Sequence, residues 1–143
     1  MANYMYTIST PAGNTKTNPL ETPLAISYGI IHFIGIYLVP GSQGECHVVL
    51  LHERDRVAPT NPEEDYSGDD TLWPIKEHYP IETGPAILTA LTWNDSEDES
   101  RKAIINVQVL PEDILLPTNR LTDALQAFLQ RLRVPLPWVT TKS

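Results

Sequence analysis

Residues 29–41 read GIIHFIGIYLVPG, the most apolar stretch of a 143-residue chain. It could be a membrane anchor, the core of a folded domain, or a face that meets a partner. The run from Gly29 to Val39 is shorter than the roughly 20 residues a spanning helix needs. His32 interrupts it, and Pro40 with Gly41 closes it with a turn signal. Its β-branched and aromatic side chains favour a strand. In a regular strand Ile30, His32, Ile34, Ile36 and Leu38 share one face, and Ile31, Phe33, Tyr37 and Val39 share the other. A strand apolar on both faces must be covered on both, by a second sheet, a terminal helix or another subunit.

Composition narrows the class. Hydrophobic residues make up 41% and charged residues 20%, the balance of a folded domain rather than a disordered chain. The formal net charge of −8 argues against binding nucleic acid or anionic lipid, which both need clustered Lys and Arg. One cysteine, Cys46, excludes an internal disulfide and a Cys-rich zinc site. No apolar segment follows a basic start, so no secretion signal is expected and production in the cytoplasm is the simplest reading.

Outward from residues 29–39 the chain reads as short strands. PGSQGE (40–45) turns it into Cys46–His52, which reads as the second arm of a hairpin. Residues 56–74, RVAPTNPEEDYSGDDTLWP, are polar, Pro-rich and acidic, which argues against a strand or helix there, with Leu72, Trp73 and Ile75 anchoring the far end. A strand follows from about Ala86 to Trp93, then the loop NDSEDES (94–100), then RKAIINVQVL (101–110). In that last strand Ala103, Ile105, Val107 and Val109 share one face while Ile104, Asn106 and Gln108 share the other, and the two strands together read as a hairpin with one solvated face. The expected fold is mainly β: an antiparallel β-sandwich, jelly-roll or immunoglobulin-like, spanning residues 24–111.

The two ends differ. Residues 1–23 are rich in Thr, Asn and Pro and read as a flexible or partner-docking arm, in which alternating Tyr4, Tyr6 and Ile8 could add a strand to a neighbour's sheet edge. Residues 112–143 read as a connector, a helix over about residues 119–133 and a Pro-rich tail. Leu121, Ala124, Leu125, Phe128, Leu129 and Leu132 form one helical face, Thr118 or Asn119 caps it, and Pro135 stops it. Trp138 in the tail is a further candidate for partner docking.

No catalytic signature emerges, so no catalytic, metal or cofactor residue is assigned. Acidic residues crowd residues 63–70 and 95–99; either loop could offer oxygen ligands to calcium, but neither has EF-hand spacing, and solvated loops are the commoner use. Cys46 and His47 are adjacent on a strand and point to opposite faces, so they cannot pair as nucleophile and base. An enzyme would require a pocket converging on His47 or His78 with a carboxylate. Tyr66, Trp73 and Trp93 are candidates for stacking on a sugar, although aromatics at sandwich ends ordinarily plug them.

The segments GIIHFIGIYLVPGSQGECHVVLL (29–51), PTNPEEDYSGDD (59–70), EHYPIE (77–82) and LTWNDSEDESRKAIINVQVL (91–110) resemble small β-sandwich virion proteins of tailed bacteriophages, over about residues 29–110. The resemblance implies a structural role on a particle, as a capsid-decorating or minor virion protein, and carries no catalytic residues. The expected function is therefore non-enzymatic assembly, with virion subunits and further copies of itself as partners, as a homo-oligomer or bound to a lattice, located in the virion after synthesis in the host cytoplasm. The alternative is a β-sandwich binding module for carbohydrate or a host surface. Neither nucleic acid nor membrane is expected as a partner.

Overall fold

In the computed structural model, residues 1–111 and 125–128 are described. Eight strands run through the first unit, Met1–Pro111: β1 (Ala2–Thr10), β2 (Leu20–Ala25), β3 (Gly29–Leu38), β4 (Cys46–His52), β5 (Asp55–Ala58), β6 (Thr71–Ile81), β7 (Ile87–Asn94) and β8 (Arg101–Leu110). They form two antiparallel four-stranded sheets, ordered β1-β8-β3-β6 and β2-β7-β4-β5. Ile31, Ile34, Ile36, Leu38, Ile105 and Val107 of the first sheet and Leu24, Val48, Leu50, Leu88 and Ala90 of the second belong to one buried cluster, giving a β-sandwich-like arrangement.

The apolar residues 29–38 are the central strand β3, between β8 and β6. Its faces are not those of a regular strand. The register against β8 steps from Ile31↔Val109 to Phe33↔Gln108, so β3 carries one extra residue beside His32. Such a bulge reverses the alternation. Ile31 thereby joins Ile34, Ile36 and Leu38 in the core cluster, whereas Ile30 leaves their face. Gly29 starts the strand at a φ of +141°, and a Cβ there would lie 2.5 Å from the Leu110 carbonyl oxygen. Gly29→Ala is expected to destabilise the fold by about 1–3 kcal/mol through backbone strain, read as a lower urea midpoint at unchanged slope.

Three sequence-based expectations need correction. First, residues 1–23 are not an arm: β1 pairs with β8 over nine consecutive positions, and β2 begins at Leu20. The sandwich therefore starts at residue 2, not 24. Tyr4, Tyr6 and Ile8 do extend a sheet edge, but it is the chain's own, and the Tyr6 hydroxyl donates to the Ala25 carbonyl across to the second sheet. Composition concealed this because an edge strand exposes alternate residues, here Asn3, Met5, Thr7 and Ser9, and so looks polar.

Second, the expected hairpins are absent. β3 and β4 lie in different sheets, as do β7 and β8, and among strands adjacent in sequence only β4 and β5 are paired. Loops of six or seven residues are long enough to cross between sheets about 10 Å apart, and alternation records which face is buried, not which sheet the strand joins. Third, residues 56–74 contain the end of β5 and the start of β6. β6 runs along the sheet edge, where Pro74 and Pro80 are tolerated. In the second unit residues 125–128 are helical with Leu125 and Phe128 exposed. The remainder of the expected helix at 119–133, the connector and Trp138 lie outside the described residues.

Candidate functional site

The strand crossings gather four loops, residues 11–19, 39–45, 59–70 and 95–100, at one end of the sandwich. Backbone bonds tie them together: Asn94 N–H donates to Asn14 O at 2.8 Å, Asp95 N–H to Glu45 O at 2.9 Å, and Gly44 N–H to Gly68 O at 3.2 Å. Asn94 is the buried keystone of this end. Its Nδ2 donates to Thr10 O at 3.1 Å and Glu99 O at 2.7 Å, and its Oδ1 accepts from Ser96 N–H at 2.9 Å. Beneath it, the buried Thr10 hydroxyl donates to Thr92 Oγ1 at 2.7 Å, joining the two sheets inside the core.

His47 braces two of the loops. On the outer face of β4, its ring stacks on Trp93, its cross-strand partner in β7, with centroids 5.2 Å apart and planes 7° from parallel. Nδ1 lies 2.7 Å from Asp65 Oδ1 and Nε2 lies 2.6 Å from Asp95 Oδ2. A carboxylate occupies each nitrogen, so neither is directed at open space where a substrate could meet it. The arrangement links residues 59–70 and 95–100 to β4. His47→Ala should therefore speed hydrogen exchange at the Tyr66 and Asp95 amides, which bond Val48 O and Glu45 O. Unchanged exchange at both would show that the brace carries nothing.

Beside this brace an open cavity of about 550 Å³ is lined by Glu45, Asp95, Glu97, Asp98, Glu99 and Arg101, among others. Asp95 belongs to both features, whereas His47 does not line the cavity. Arg101 bonds Glu99 at 2.8 Å and lies 3.5 Å from Glu45. Desolvation pulls its guanidinium down, but the Glu99 hydrogen bond and the Glu45 and Glu99 charges outweigh it and hold the group above its ordinary value. With five carboxylates around one cation, the surface is strongly negative and suits a basic partner. Among the described residues no three His, Cys, Asp or Glu side chains are placed to hold a metal ion.

The residues singled out from sequence separate here. Cys46 is buried and faces the core, opposite His47, as strand alternation requires. Burial pushes its thiol up to about 11, against the pull of the Thr10 hydrogen bond and Arg101. At pH 8 only about one thiol in a thousand is then the reactive thiolate. An aromatic disulfide reagent should leave the native chain unmodified and react promptly in denaturant; fast labelling without denaturant would contradict this environment. His78 points outward on β6 and is exposed. Trp93 is only 6% exposed beneath His47 and cannot offer a stacking face. Tyr66 and Trp73 meet at 5.5 Å, where Tyr66 continues the edge beside β4 and Trp73 lies on edge strand β6. Trp73 is 40% exposed and its Nε1–H donates to Ser67 O at 2.9 Å.

Sequence reasoning missed the meeting of His47 with Asp65 and Asp95. These positions are 18 and 48 residues from His47, and no local pattern marks them. No protein-family model matches this sequence, and no curated protein matches it. No helix among the described residues is long and apolar enough to cross a membrane, which leaves strand-built membrane crossings unaddressed.

Proposed function

We propose that this chain is a non-enzymatic jelly-roll assembly protein, a structural component of a phage particle such as a capsid-decorating or minor capsid protein. The observation that carries the reading is the strand order. Two four-stranded sheets ordered β1-β8-β3-β6 and β2-β7-β4-β5, with nearly every connection crossing between sheets, are what eight strands wound through two Greek keys produce. An immunoglobulin-like sandwich would instead keep ABED and CFG neighbours. Jelly rolls recur in viral capsid domains, which agrees with the phage resemblance of residues 29–110. Support also comes from the loop end, where His47 serves as a brace and an acidic surface is available for docking onto basic shell subunits. Virion location follows from the same reading.

The test is mass spectrometry of gradient-purified particles from cells that express the chain with its neighbouring genes. The expected result is the chain present at a fixed copy number per particle. Its consistent absence from intact particles would overturn the proposal.

One observation favours a second reading, a carbohydrate-binding module: the half-exposed Trp73 beside Tyr66, since lectins also use this fold. Glycan-array binding that Trp73→Ala abolishes would favour it, and a blank array would remove it.

A further inference from the structure

An open sheet has two edges, and each is a template for pairing with another chain unless something blunts it. Three of the four edges here carry such devices. β6 has Pro74, Pro80, Lys76 and Glu77 together with a register shift. β2 is six residues long with Glu21 and Pro23. β5 is four residues long, begins Asp55–Arg56, and has a register shift against β4.

β1 has none of these. Its nine residues, ANYMYTIST, hold no charge and no proline, and their pairing with β8 runs without a shift from Ala2 to Thr10. Among the described residues no strand pairs with its outer edge. Electrostatics select the occupant. The chain carries a net charge of −8, yet the only charged side chains on β1 and β8 are the basic Arg101 and Lys102. Both lie at one end of the strip, and from Ala103 to Leu110 on β8 and throughout β1 there is no charged side chain, so an identical copy meets no like charge along this stretch. Tyr4 and Tyr6 on the inner face remain only partly buried and have apolar surface left to cover.

We infer that β1 is a self-association edge, where the β1 strands of two copies pair antiparallel about a two-fold axis and form one continuous eight-stranded sheet. Side-chain alternation restricts the register, because residues opposite one another must point to the same face. Maximal overlap puts Ala2 opposite Thr10, Tyr4 opposite Ile8, and Tyr6 opposite Tyr6. On the outer face Met5 then lies opposite Thr7. The contact is isologous and uses both free edges, so it closes at a dimer. This deepens the assembly reading by naming one partner, but it rests on the edge alone. A chain that dimerises yet stays out of particles would overturn the particle assignment and leave this inference standing.

The test uses the full chain in sedimentation velocity over a concentration series. Met5 and Thr7 are both exposed on the outer face, so substituting them spares the core. The double variant M5K/T7K places Lys opposite Lys twice across the axis, and like charges directly opposed are unfavourable. The variant M5K/T7E places Lys opposite Glu at the same two positions. We expect the unaltered chain to dimerise, M5K/T7K to weaken the dimer at least tenfold with an unchanged melting temperature for the monomer, and M5K/T7E to restore it. An unaltered chain that stays monomeric throughout the series would overturn the inference. So would dimers that M5K/T7K leaves intact, since association would then use another surface.

Discussion

Ile105→Ala should lower the unfolding free energy by about 2–5 kcal/mol, the range for truncating a large aliphatic side chain in a packed core. Ile105 is fully buried at the centre of β8, opposite Tyr6 on one side and Ile36 on the other. Its inner-face neighbours cannot collapse far into the space left, because both flanking strands hold β8 in place. Ile104, one residue away, faces outward and is only partly buried, so Ile104→Ala should cost roughly 1 kcal/mol or less. Urea unfolding of the two variants under identical conditions decides the matter. Similar losses, or a larger loss for Ile104→Ala, would mean that β8 sits one residue out of this register, since a single-residue slip exchanges the two faces.

Asn94→Ala should cost about 2–3 kcal/mol, although it removes few contacts with apolar atoms. The loss comes from Thr10 O, Glu99 O and Ser96 N–H, which would be left buried or half-buried without the amide that satisfies them. Asn94→Asp should not rescue the fold. It keeps an acceptor for Ser96 but sets a carboxylate against two carbonyl oxygens. Asn94→Ala should also speed hydrogen exchange at Ser96, whose amide loses Oδ1 as its acceptor. A stability within about 0.5 kcal/mol of the unaltered chain would show that water replaces the side chain at this end and that Asn94 is not its keystone.

The fold and the site were unequally legible in the residues. β8 could be read from its letters because Ala103, Ile105, Val107 and Val109 alternate without interruption, and all four lie in the core. In β6 Ile75, Tyr79 and Ile81 pack against the core, but Glu77 between them and Pro74 and Pro80 beside them hide the pattern unless an edge position is already known. The proline at each such position costs no ladder bond on the open side. In β3 the composition identified a strand, whereas the bulge at His32, a product of pairing with β8, decided which isoleucines meet the second sheet. The separation of Cys46 from His47 needed only strand alternation. The union of His47 with Asp65 and Asp95 needed two loops brought to one end of the sandwich by strands that are distant in sequence.

GIIHFIGIYLVPG shows where that division falls. Its length, its β-branched side chains and its Pro-Gly stop made it a buried strand and not a membrane anchor, because these are local properties of the chain. The strand character of β4, β7 and β8, the alternating core face of β8 and the absence of an internal disulfide were likewise determined by the residues themselves. The tertiary structure alone decided that the chain crosses to the second sheet after β3 instead of turning back to pair with it, that residues 2–10 complete the sheet of β3, and that Asn94 and His47 hold the loop end together. Each of these depends on pairing between segments far apart in sequence, and a strand's own side chains record which face is buried without recording its neighbour.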